Sequence, residues 1–120
     1  MPLTAPVIAS RQPSDSGGIA VTSLNCTLPS GSVEGSYIAI LVGQDETSSV
    51  SFSAAGFTQE ENAGDGVSDT QLGCLGGFLS ALQVSTGYIT VNSTGDDEMW
   101  ADALRITGVD PDNPVDTSRV

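Results

Sequence analysis

Gly35-Ser36-Tyr37-Ile38-Ala39-Ile40-Leu41-Val42 is the most strongly strand-like run of the chain. Gly31 and Gly35 punctuate its start, and Gly43, Gln44 and Asp45 end it. A short continuous apolar run bounded by turn formers reads as a strand covered on both faces. Such a strand belongs at the centre of a two-layer sheet structure, and the rest of the sequence supplies its neighbours.

Working outward, Ile19 to Leu24 alternates enough for a first strand that reaches towards Leu28. Pro29 to Gly35 is a loop. Val50 to Phe52 and Phe57 to Glu60 are short strands around an Ala54-Ala55-Gly56 bend. Glu60 to Thr70 is the longest polar loop. Leu72 to Val84 is long and apolar, and Leu72, Leu75, Phe78, Leu79 and Leu82 fit a helical stripe. Gly73, Gly76 and Gly77 would each cost a helix about 1 kcal/mol relative to Ala, so a strand with a bend at the glycine pair is preferred. Gly87 to Asn92 alternates cleanly as a strand, Ser93 to Glu98 is an acidic turn, and Trp100 to Ile106 is the next strand. On it Trp100, Asp102, Leu104 and Ile106 share one face, and Ala101, Ala103 and Arg105 the other. Six or seven short strands with no firm helix give an all-β class, as an antiparallel β-sandwich or jelly roll. Pro2, Pro6 and Pro13 discourage ladder pairing, so residues 1–18 are expected to be an extended N-terminal arm and residues 19–120 the β-sandwich domain.

Composition bounds the chemistry. The 120 residues suit one domain, which buries roughly two-thirds of its unfolded surface. There are 15 acidic residues, three arginines and no lysine or histidine, for a net charge of −12. Nothing here neutralises phosphates, which argues against nucleic-acid binding and against docking on anionic membranes. The absence of histidine removes Ser-His-Asp and Cys-His sites, and the absence of lysine removes Schiff-base and P-loop chemistry. The glycines at 73, 76 and 77 do not match a dinucleotide fingerprint. No enzyme activity, cofactor or metal is therefore expected.

Three groups of residues bear on that expectation. Glu98 beside Trp100 is the best candidate acid for glycosidase chemistry, since an apolar neighbour raises a carboxyl pKa; one charge in a solvated turn is the preferred reading. Two oxygen-rich sets suit calcium in composition: Asp96, Asp97, Glu98 and Asp102, and Asp110, Asp112, Asn113 and Asp116. Neither has EF-hand spacing, and free solvated acids are favoured. Cys26 and Cys74 sit in apolar, strand-like settings, where buried free thiols are favoured over a single disulfide. The first ten residues lack the basic region and apolar run of a signal peptide, and no apolar segment approaches the ~20 residues of a membrane span. Synthesis in a cytoplasm is the expectation.

With the strands placed, three segments form a pattern: Gly35 to Val42, Phe52 to Phe57, and Leu104-Arg105-Ile106-Thr107-Gly108-Val109-Asp110-Pro111-Asp112-Asn113-Pro114-Val115-Asp116. Together they resemble a β-sandwich domain of tailed-bacteriophage virion structural proteins, over about residues 19–118. Ser36 stands where that domain has an acid, and Ala55-Gly56-Phe57 where it has a Gly-Trp turn. The chain also ends where such domains continue with further strands, which implies a minimal version or an edge completed by another chain. The resemblance implies a capsid decoration (cement) protein or a head or tail appendage subunit in the virion. Its partners would be the major capsid protein or other virion subunits, in a homo-oligomer for which a trimer is the suggested order. It implies no catalytic residues. The alternative is a host-surface or glycan-binding module using loops such as Glu60–Thr70 or Ser93–Met99. The closing motif reads first as a capped strand end: Gly108 permits a turn, and Pro111 and Pro114 stop pairing.

Overall fold

A computed structural model describes residues 5–62, 70–112 and 114. Among the described residues the chain is all-β apart from one short helix. In chain order the elements are β1 (Val7–Thr27), β2 (Tyr37–Asp45), β3 (Phe52–Ser53), β4 (Phe57–Asn62), β5 (Thr70–Phe78), α1 (Ala81–Thr86) and β6 (Tyr88–Thr107). All pairings are antiparallel, in the order β1-β6-β2-β5-β4, with β3 added on β6.

β2 lies between β6 and β5, as its apolar run requires. Ile38, Ile40, Val42 and Gln44 point inward and are buried. The opposite face is only partly covered, because Leu41 is half exposed. The expectation of cover on both faces thus holds for one face and part of the other.

The two long strands explain how an apparent single sheet encloses a core. Residues 7–15 of β1 pair with the C-terminal half of β6, and residues 20–27 with its N-terminal half. Between them the register slips from Asp15↔Trp100 to Ala20↔Glu98. Gly17 and Gly18 take positive φ at that slip, which side chains other than glycine rarely adopt. The ribbon bends there so far that the Thr27 N–H donates to Ser14 Oγ at 3.1 Å, across the fold. Leu24, Cys26, Ile89, Val91 and Phe52 from one half then pack with Ile38, Ile40, Val42, Leu75, Met99, Ala101 and Ala103 from the other.

Three expectations are corrected. Residues 7–15, part of the extended arm whose prolines are expected to discourage ladder pairing, form an edge ladder; Pro13 is tolerated because an edge strand leaves one side unpaired. Ser93 to Glu98, expected as a turn, is the bend inside continuous β6. It is stitched by buried Gln44, whose Nε2 donates to the Val21 and Asp97 carbonyls at 3.0 and 3.1 Å. The long apolar segment is a strand through Phe78, as expected, but then becomes α1. Ser80 accepts from the Gln83 N–H, the Gln83 side chain accepts from the Ser80 N–H, and Gly87 closes the helix in the left-handed region. Finally, the alternation over 100–106 is as expected, but the alanine face is the buried one. Trp100 lies on the outside, 39 % exposed.

Candidate functional site

The outer face of the β1–β6–β2–β5 layer carries the most conspicuous surface feature. Strand alternation places Leu41 on β2, Leu72 on β5 and Trp100 on β6 on this side. They are 49 %, 47 % and 39 % exposed, and they line a groove of about 510 Å³. The groove exists because β2 is apolar on both sides while the core covers only one.

The indole of Trp100 has a specific seat. Trp100 and Gly43 are directly opposed on neighbouring strands. A Cβ at position 43 would lie 2.5 Å from Cε2 and 2.6 Å from Nε1 of the indole. The ring therefore lies against bare backbone, and Gly43 is the residue that admits it.

Charge surrounds this apolar centre unevenly. Asp15 faces Trp100 from β1, Glu98 and Asp102 flank it two residues away on β6, and Asp45 follows Gly43 by two on β2. Among the described residues Arg11 is the one cation lining the groove, and its Nη2 is already held 2.9 Å from Asp102 Oδ2. An exposed pair of this kind is worth less than about 1 kcal/mol.

Further along, the same face holds a hollow of about 390 Å³ beside Tyr37, Ala39, Cys74, Glu60 and Ile106. Tyr37 meets Phe78 edge-on, with ring centroids 5.1 Å apart. Burial, then the Glu60 carboxylate and the Cys74 thiol, raise the pKa of Tyr37. Cys74 is half-buried, and burial followed by Glu60 and Glu61 raises its thiol pKa. Cys26 is wholly buried on the core side, and burial alone pushes its thiol up to about 12. Both thiols are free.

The residues singled out from sequence are not brought together. Glu98 is exposed, outside the groove lining, and its N–H donates to Asp97 Oδ1 at 2.8 Å. Asp97 is thereby engaged with its own backbone, and Asp102 with Arg11. Asp110 Oδ1 accepts from the Asp112 N–H at 2.9 Å, while Asn113 and Asp116 lie outside the described residues. Among the described residues no three His, Cys, Asp or Glu side chains are grouped to hold a metal ion. Gly108 leaves β6 at φ +78°, the turn its place after Thr107 predicts. Of the two loops considered for receptor contact, Ser93–Met99 lies within β6. Residues 63–69 of the other lie outside the described residues, and Glu60–Asn62 belong to β4. Leu41 and Leu72 were missed as surface groups, since an apolar residue on a strand carries no mark of which face is left open.

Compared with known proteins, the chain matches no family model, no curated protein and no solved structure. Fold and groove together define an all-β protein with one apolar sheet face turned outward.

Proposed function

We propose that this is a virion structural protein, a capsid decoration or cement protein or a head or tail appendage subunit, that works by surface contact and not by catalysis. The observation that carries the reading is the groove at Trp100, Leu41 and Leu72. Apolar surface rimmed by polar groups marks a place where another protein sits. The resemblance of Gly35–Val42 and the Gly108–Asp116 ending to tailed-phage domains supplies the particle. On this reading the bent ribbon is a jelly-roll-like sandwich, and the N-terminal arm, whose residues 7–18 belong to the edge strand β1, is the segment offered to a neighbouring subunit. The first residues of β1 have a free side for strand addition. The major capsid protein or other virion subunits are the partners, in a homo-oligomer with a trimer as the suggested order, without cofactor, nucleic acid or membrane.

Co-sedimentation of purified protein with virus particles lacking it tests the reading. Saturable binding at a fixed number of copies per particle is the expected result. A strict monomer by light scattering that never sediments with particles refutes it.

A second reading, a glycan-binding module, has one observation in its favour. Tyr88, Gln83, Thr90 and Asn92 line a groove of about 310 Å³. An aromatic ring beside amide and hydroxyl groups is suited to a sugar. Glycan-array binding abolished by Tyr88→Ala would favour it.

A further inference from the structure

We infer that the groove at Trp100, Leu41 and Leu72 is the docking site for a basic, amphipathic segment of a partner protein, one that presents apolar side chains flanked by lysine or arginine. This deepens the assembly reading above and rests on it for the identity of the particle, but not for the chemistry of the site.

Three observations converge. The centre of the site is apolar and half open, so an occupant gains by covering it. Asp15 and Asp102 line it, Asp45 and Glu98 lie just beyond it two residues along β2 and β6 from Gly43 and Trp100, and among the described residues its one lining cation, Arg11, is paired with Asp102. The rim is therefore net negative and attracts cationic side chains. The same charge decides against a second copy. Two copies docked through this face would bring their acidic rims together, and like charges directly opposed are unfavourable, so a homo-oligomer would use another edge. A basic apolar segment satisfies both the centre and the rim.

Trp100 is the only tryptophan and sits inside the site, so its emission reports occupancy directly. The full chain is titrated with three nine-residue peptides, matched in length to β2. One alternates leucine with lysine, one leucine with glutamate, one serine with lysine. The leucine–lysine peptide should shift the emission to the blue, more weakly as salt is raised. The other two should not. Leu41→Ser with Leu72→Ser should weaken binding about tenfold or more, and Asp15→Asn with Asp45→Asn severalfold. Leu72→Ser alone serves if the double variant does not fold.

Equal binding of the leucine–glutamate peptide, or undiminished binding by the leucine variants, overturns the inference. So does a blue shift driven by protein concentration alone with a dimer in sedimentation, which makes a second copy the occupant. Particles separate the two readings. If the leucine variants still bind particles, this face is refuted and the assembly reading stands. If particles are not bound but the peptide series behaves as described, the assembly reading falls and the site remains.

Discussion

Gly43→Ala tests the geometry on which the groove depends. The new methyl would enter the space held by the indole, at 2.5 Å from Cε2, so either the ring or the strand must move. β2 is held on both sides by ladders, whereas Trp100 is 39 % exposed at the surface, so the ring moves. A tryptophan side chain presents about 200 Å². With the residue 39 % exposed, about 120 Å² of it is covered, worth roughly 3 kcal/mol at ~25 cal/mol/Å². Loss of half to all of that cover, offset by about 0.7 kcal/mol from the stiffer unfolded chain, leaves a destabilisation of about 1–2 kcal/mol. For a domain of this size the melting temperature should fall by about 4–8 °C. Fluorescence provides an independent readout: the emission of the single tryptophan should move to the red as the ring swings into water. In a double-mutant cycle with Trp100→Ala, the penalty of Gly43→Ala should largely vanish. A Gly43→Ala protein that is more stable than the parent, with unchanged emission, would refute the placement of the ring.

The core thiol predicts a pH dependence. Below pH 9 the Cys26 thiol keeps its proton whether the chain is folded or unfolded. Above its ordinary value of 9.0 the unfolded chain releases the proton, while the folded chain keeps it until about 12. Stability should therefore fall as pH rises across 9–12, and urea titrations of Cys26→Ala should lack that component of the fall. Native alkylation followed by mass spectrometry should label Cys74 first and leave Cys26 untouched until unfolding, because only Cys74 reaches the surface; simultaneous labelling would contradict the packing. Gln44→Leu should cost about 2–4 kcal/mol by chemical denaturation, since it strands the Val21 and Asp97 carbonyls and the Ser93 hydroxyl inside the bend. A neutral effect would mean that the bend holds without that amide.

The parts legible in the sequence were those where local pattern and tertiary demand agree. Ile38 to Val42 could only be a central strand. The glycines of β5 argued correctly against a helix, and the structure supplies the reason. Gly73 and Gly77 make room for Phe52 and Phe57, so they answer to packing in three dimensions and not to chain flexibility. The illegible parts were decided elsewhere in the fold. Ser93 to Glu98 has the composition of a turn, and contacts from elsewhere in the fold, the Gln44 amide among them, tie it into a continuous bend. Trp100 lies outside because Ala101 and Ala103 are small enough to pack beneath β2 and the opposite half of the ribbon, a preference no single strand displays. One local signal was present and missed: Ser80-x-x-Gln83 followed by Gly87 brackets α1. For the site, Trp100 was singled out, but its partners come from β2 and β5, and only the ladder registers join them.

The pairing of Val7 with Thr107 carries a kinetic consequence. The first strand of the fold has β6, the last, as its ladder partner, so it must wait through the formation of everything between. Contacts so remote along the chain close slowly. A waiting strand is exposed to wrong neighbours, and this one is poorly suited to recruit them: Pro13 interrupts its donors, Gly17 and Gly18 break its straightness, and serines fill the side that later turns inward. Refolding should accordingly end in a slow phase in which the edge zips onto an otherwise finished body, with amide protection reaching Val7 to Asp15 last.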